Sequence, residues 1–239
     1  MAEINPDISL IIPVYNSLTY LPDTYREICA AMQKEAFSFE IIFVDDAGTD
    51  ASLRFLVQLQ QNDARVRIHR HERNKGQQAA LAAGFFLSRG NTVITTDADL
   101  PVPCAAFGDL VRALRLKNLD FIAGFRQNFR HAGLVRRWGA AFVNFLLRAI
   151  YDFRIRDFGC GTNALDRSLI ERFRETRIPH SPIKLAVLAL AHRYEEMPLP
   201  VRAASADSGY TLVRLAALTL DLVLFRFRAR RFFRRVRDP

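Results

Sequence analysis

The chain has 239 residues, half of them apolar, which is enough for one substantial core and suits a single domain. Its net charge of +9 is carried mostly by arginine and gathers late in the chain, where nine arginines face three aspartates between Arg202 and Pro239. Clustering of this kind calls for an anionic partner, and a merely solvated basic tail is the alternative. Cys29, Cys104 and Cys160 form no even framework, which argues against a secreted disulfide scaffold, and the polar start before Ile8 argues against a signal peptide.

Taken in chain order, Ile8–Val14 and Phe39–Val44 are apolar, β-branched runs that read as strands buried on both faces. Between them, residues from Ser17 to Glu35 place Leu21, Tyr25, Ile28, Cys29 and Met32 at helical spacing. Thr49 is placed to cap a second helix with an inward face of Leu53, Leu56, Val57 and Gln60. Strand Val66–His69, helix Gly76–Ser88, strand Asn91–Thr96, helix Pro103–Leu116 and strand Phe121–Ala123 follow. This alternation predicts an α/β fold with a mostly parallel sheet, helices on both faces, and ligands at the strands' carboxyl ends. Beyond Gly124 the rhythm changes. Gly133–Tyr151, Arg167–Arg174 and Ile183–His192 read as helices, Asp157–Thr162 as a glycine-rich loop and Glu196–Val201 as a strand.

The chemistry-bearing residues sit at the strand ends. Asp97-Ala98-Asp99 follows a buried strand, and two carboxylates one residue apart on an emerging loop suit Mg²⁺ or a similar oxygen-seeking ion. Capping of the next helix is the plainer reading of the same tripeptide. Asp45-Asp46 ends the second strand in the same way; Asp46 can accept hydrogen bonds from a base or ribose, or simply make an Asx turn. Tyr15, in Pro13-Val14-Tyr15-Asn16, can stack on a base or pack in the core. Arg73 and Lys75 lie in a basic loop feeding a helix N-terminus, which suits phosphate, whereas the alanines from Ala79 to Ala83 and Gly84 suit close packing on the sheet.

The order Pro-Val-Tyr-Asn, Val-Asp-Asp, Arg-Asn-x-Gly-Gln, Asp-Ala-Asp-Leu and Gly-x-Arg resembles family 2 glycosyltransferases of the GT-A fold. Within them it is most similar to the polyprenyl-phosphate subgroup, which works on dolichol or undecaprenyl phosphate. The likeness continues through Arg126-Gln127-Asn128, Asp157-Phe158-Gly159-Cys160, Ser208-Gly209-Tyr210, Arg214-Leu215 and Asp221-Leu222, and covers nearly the whole chain from Ile8 to about Phe225. It implies that Pro13, Tyr15, Val44 and Asp46 hold the nucleoside. It further implies that Asp97 and Asp99, with the Ala98 backbone alongside, handle the diphosphate and a Mg²⁺ or Mn²⁺ ion. Arg126 falls near the sugar or phosphates, and Arg136 near the acceptor phosphate. The implied reaction is an inverting transfer from a nucleotide-sugar to a polyprenyl phosphate.

The absence of an evident carboxylate base, and of a Gln-x-x-Arg-Trp motif in the later half, agrees with a phosphate nucleophile, which needs no deprotonation. Five features depart from the family pattern. Pro101 stands where many relatives have glutamine, Ala47-Gly48 replaces Gly-Ser, and Ala140 replaces a serine. Ala203 and Gly209 fall where arginine and lysine are expected, leaving Arg202 or Arg214 to serve the acceptor phosphate.

Residues 1–209 are expected to form the single transferase domain and residues 210–239 a basic amphipathic tail. That tail lacks the ~20 uninterrupted apolar residues of a spanning helix. Phe227, Phe232 and Phe233 among arginines suit an anionic membrane interface, and docking of Leu215, Leu218, Leu222 and Phe225 on the core is the alternative. The expected location is therefore peripheral, on the cytoplasmic face of the cell membrane. Nucleic acid is not an expected partner, since no motif for it precedes the arginines. A transferase acting on a sugar hydroxyl, or a degenerate membrane-bound binding subunit, are the rival readings.

Overall fold

The structure, a computed structural model, describes residues 5–127, 155–176 and 182–202, together with residues 142, 145, 151, 153, 220, 224 and 225. The expected helix over Gly133–Tyr151 and the tail lie largely outside the described residues, as do Arg136, Ala140, Ala203, Gly209 and Arg214.

Seven strands form one sheet in the order β3-β2-β1-β4-β6-β5-β7. They are β1 (Ile8–Val14), β2 (Phe39–Asp45), β3 (Val66–Arg70), β4 (Thr92–Thr95), β5 (Phe121–Arg126), β6 (Asn163–Asp166) and β7 (Tyr194–Leu199). The helices are α1 (Leu21–Lys34), α2 (Ser52–Asn62), α3 (Gln77–Leu87), α4 (Phe107–Leu116), α5 (Arg167–Glu175) and α6 (Ile183–Leu190). β1 pairs in parallel with β2 from Ile8↔Phe39 and with β4 from Ile8↔Thr92, so the carboxyl ends of β1, β2 and β4 lie side by side.

Side chains alternate across the pleat, and both faces are covered. Ile11, Ile42 and Val93 join Phe85 of α3, Phe173 of α5 and Leu185 of α6 on one face. Leu10, Ile12, Phe43 and Ile94 join Ile28 of α1, Leu56 of α2 and Phe107 of α4 on the other. Two-sided burial is why β1 and β2 read as mostly apolar runs, interrupted within by Ser9 and Glu40. Gly84 lets α3 lie directly on β1, because a Cβ there would stand 2.3 Å from Ile11 Cγ2.

The fold departs from the sequence expectation in four places. β6 was not foreseen. It runs antiparallel between β4 and β5, and its four residues, Asn-Ala-Leu-Asp, are too short and too polar at their ends to show an apolar run. Helix α2 buries Ser52 and Leu56 and packs Phe55 and Leu59 on the core, while Val57 is 41% exposed and Gln60 is exposed. The helix is rolled this way because Ser52 Oγ must face inward to accept the Ser17 N–H at 3.0 Å. Thr49 does not cap α2. Its N–H instead donates to Asn16 Oδ1 at 2.7 Å, and Asp50 Oδ1 accepts from Ser52 N at 2.9 Å. Finally, the helix expected from Pro103 begins as a 3₁₀ turn over Cys104–Ala106 before becoming α4.

Candidate active site

A crevice of about 310 Å³ opens at the carboxyl ends of β1, β2 and β4, lined by Tyr15, Asp46, Gln77, Asp97 and Asp99 among others. Each strand hands one loop to it. After β1, Asn16 takes a left-handed conformation with φ 50°, a turn that asparagine tolerates, and Tyr15 is left 50% exposed on the wall of the crevice. Tyr15 is therefore not a core residue. Pro13 and Val14 complete this wall, while Val44 is buried beneath it.

Asp46 is 3% exposed and its carboxylate organises the loop over residues 71–76. Oδ1 lies 2.7 Å from His71 Nδ1 and accepts from Lys75 N at 2.9 Å, and Oδ2 accepts from Gly76 N at 2.6 Å. An ionised carboxylate can only accept, so His71 presents its proton at Nδ1. Burial works against the charge on Asp46, yet the His71 contact and the two backbone N–H groups outweigh it and hold the carboxyl below its ordinary range. The loop so fixed carries the exposed Arg73 and Lys75 and ends at Gly76, whose φ of 86° starts α3 at Gln77. The neighbouring Asp45 is fully buried. Its Oδ1 accepts from Gly48 N at 3.2 Å, and Arg70 Nε stands 3.3 Å from Oδ2 without hydrogen-bond geometry.

Asp97 and Asp99 stand beyond β4. The strand's path continues through Thr96 N, which donates to Ile11 O at 3.2 Å. The Ala98 carbonyl is tied down by Thr24 Oγ1 at 2.6 Å, and Leu100 N closes a turn onto Asp97 O at 3.1 Å. Asp97 Oδ1 accepts from Gln77 Nε2 at 2.6 Å. Burial and the charge of Asp99 push the Asp97 carboxyl up to about 6, although Gln77, Arg126 and Lys184 pull the other way. Because the Asp99 charge raises the cost of ionising Asp97, a cation held beside the two would relieve it. Among the described residues no group of three or more His, Cys, Asp or Glu side chains is placed to hold a metal ion.

Arg126, at the end of β5, makes a forked pair with Asp157, Nε to Oδ2 at 2.7 Å and Nη2 to Oδ1 at 2.9 Å. Burial opposes the charge of Asp157, but Arg126 and Lys184 overcome it and keep its carboxyl low. Arg202 lies farther out. Its backbone N–H donates to Pro101 O at 3.0 Å and its guanidinium engages Glu27.

Several site residues were given no role in the sequence reading. His71 lies beyond the expected strand Val66–His69 and was given no role, although its partner Asp46 was singled out. Gly161 packs against Asp97, where a Cβ would stand 2.4 Å from Oδ2. Lys184 was read only as part of a helix, yet it is the one charged side chain in the octet Ile-Lys-Leu-Ala-Val-Leu-Ala-Leu, all of it buried. A lone lysine in an apolar helical run is a signal that could have been used.

A mostly parallel sheet that brings an aromatic, an organised carboxylate and an Asp-x-Asp pair to one crevice belongs to the GT-A class of nucleotide-diphospho-sugar transferase folds. Solved structures agree on the fold. Mannosyl-3-phosphoglycerate synthase from Rubrobacter xylanophilus superposes with a TM-score of 0.69 at 17% identity, over 96% of this chain and 75% of that one. Glucosyl-3-phosphoglycerate synthase from Mycobacterium tuberculosis, solved with Mn²⁺, UDP and glucosyl-3-phosphoglycerate, gives 0.64 at 17% identity over 92% and 78%. The sequence narrows the class: residues 9–174 match the model of glycosyl transferase family 2, and the chain belongs to that family. It is similar to the undecaprenyl-phosphate 4-deoxy-4-formamido-L-arabinose transferase of Pseudomonas fluorescens, 33% identical over 218 residues, 90% of this chain. The chain spans 63% of that relative's length.

Proposed function

We propose that this protein transfers a sugar, with inversion, from a nucleoside-diphosphate donor to a polyprenyl phosphate at a membrane surface. The observation that carries the proposal is that Asp97 and Asp99 line the same crevice as Tyr15, at the carboxyl ends of β1, β2 and β4. Similarity to an undecaprenyl-phosphate sugar transferase over 90% of the chain supports the acceptor class.

In this reading Tyr15 stacks on the nucleobase, with Pro13 and Val14 lining the wall and Val44 supporting it from the core. Asp46 holds the Arg73–Gly76 loop so that Arg73 and Lys75 face the diphosphate, and the start of α3 adds its backbone donors. Asp97 and Asp99 hold Mg²⁺ or Mn²⁺, which when bound offsets the charge of the leaving diphosphate. A Mn²⁺ ion bound in the glucosyl-3-phosphoglycerate synthase supports that choice of metal class. Arg126, fixed by Asp157, adds a positive charge on the sugar side. The acceptor phosphate is already an anion, so no side chain needs to remove a proton, and positioning and electrostatics carry the rate. Arg136, Arg202 and Arg214 are the proposed acceptor-side cations. Among the described residues no helix is long and apolar enough to cross a membrane. The arginine-phenylalanine tail of residues 210–239 is proposed to seat on anionic headgroups at the cytoplasmic face.

The test is transfer from a panel of UDP-, GDP- and dTDP-sugars with Mn²⁺, given either short polyprenyl phosphates or soluble sugars as acceptors. Transfer to the lipid phosphate alone is expected. Transfer to a sugar hydroxyl would replace this reading with its rival, and tight donor binding without any transfer would make the chain a binding subunit.

A further inference from the structure

Lys184 is 9% exposed and stands near the start of α6, away from the crevice wall. Its Nζ donates to the carbonyl oxygens of Asp157 at 3.1 Å and Cys160 at 3.2 Å. It therefore clasps both ends of the Asp157–Cys160 turn from beneath. The same turn presents the Asp157 carboxylate to Arg126. Asp157 also fixes the strand end itself, since its Oδ2 accepts the Arg126 backbone N–H at 3.2 Å.

The fold alone does not account for a lysine here. The other seven residues of α6 are apolar and buried, and a buried ammonium is disfavoured unless something compensates it. Burial indeed pushes Lys184 below the usual lysine range, against the pull of Cys160, Asp157 and Glu196. An apolar side chain of similar length would fill the same space without that cost. What it would not do is hold two carbonyls and thereby aim Asp157.

We infer that Lys184 is a positioning residue for the transfer reaction, acting through the Asp157–Cys160 turn to hold the Arg126 guanidinium at the sugar side of the crevice. The inference rests on the functional reading above and extends it to a side chain that touches no substrate. The geometry links Lys184, Asp157 and Arg126 as one unit: loss of Lys184 or Asp157 loosens the placement of the guanidinium. Members of such a unit are non-additive when combined, and misplacement by about 1 Å can cost on the order of 100-fold in rate.

The experiment is a double-mutant cycle of Lys184→Met and Arg126→Gln, measured as kcat and donor KM with Mn²⁺, nucleotide-sugar and a short polyprenyl phosphate. Hydrogen exchange is followed in parallel on the peptide covering residues 155–162. Lys184→Met is expected to lower kcat by about 10- to 100-fold with a smaller change in KM, to speed exchange in that peptide, and to add little once Arg126 is already Gln. If Lys184→Met does not fold, Lys184→Gln, which keeps a donor for one carbonyl, is expected to show an intermediate loss. Wild-type kcat in a folded Lys184 variant, or fully additive losses in the cycle, overturns this inference and leaves the functional reading standing. Absence of transfer by the wild type itself overturns the functional reading, and this inference with it.

Discussion

Two carboxylates on the same sheet have opposite fates. Glu40, near the amino end of β2, is buried and fully answered: Oε1 accepts from Ser9 Oγ at 2.6 Å and Arg89 N at 2.7 Å, and Oε2 from Arg67 Nη1 at 2.8 Å and Arg89 Nε at 3.3 Å. Burial opposes its charge, but these partners win and hold its carboxyl below the usual range. Asp97, past the carboxyl end of β4, has a single side-chain donor in Gln77 and a second carboxylate beside it, and is pushed up to about 6. Where the chain satisfies a buried charge with its own groups, the charge serves the fold. Where it leaves two like charges facing each other, the missing partner is expected to be a ligand.

The largest effect expected from this contrast lies at Asp97 and Asp99. Asp97→Asn or Asp99→Ala should cut kcat by at least about 100-fold, while metal-free thermal melts near pH 7.5 show Asp97→Asn at least as stable as the wild type, because a repulsion has been removed. Near-normal turnover in either variant would dissolve the contrast.

Glu40→Gln should behave in the reverse sense. Loss of its charge-assisted bonds should cost about 1–2 kcal/mol, or roughly 5 °C in Tm, with kcat per folded molecule unchanged. A loss of activity at constant Tm would mean that the amino end of the sheet takes part in function.

Acid sharpens the same comparison. The folded-state pKa of Glu40 lies below its unfolded value near 4.3, so its stabilisation is fully present above that value and is lost as pH falls through the folded value. Asp46 behaves in the same way. Melts run from about pH 6 to pH 3 should therefore show a smaller loss for Glu40→Gln than for the wild type. Parallel pH profiles for the two proteins would contradict this account of the cluster.

The smallest effect tests the roll of α2. Val57→Ala, on its solvent face, should change stability by less than about 0.5 kcal/mol, whereas Leu56→Ala in the core beneath should cost about 2–4 kcal/mol. Equal losses in urea denaturation would restore the face read from periodicity alone.

Much of the first half of the chain was legible in advance because its signals are local. β1 and β2 are apolar runs that end at Pro13 and at Asp45-Asp46, and in a parallel sheet the strand ends are where ligands gather. The bounds of β1 match the expected strand residue for residue, and β2 runs one residue further, to Asp45. The second half was less legible because its signals are long-range. β6 gains its identity only from neighbours on both sides. The inward face of α2 was decided by a bond from Ser17, 35 residues away in sequence.

What the sequence by itself determined was the family, the parallel half of the sheet, and the acidic and aromatic residues at its rim, since each rests on a short contiguous pattern. Tertiary structure alone decided that His71 is Asp46's partner, that Gly161 abuts Asp97, and that Lys184 reaches the Asp157–Cys160 turn. Side-chain direction and burial are set by packing between segments far apart in the chain, and no local run of residues encodes them.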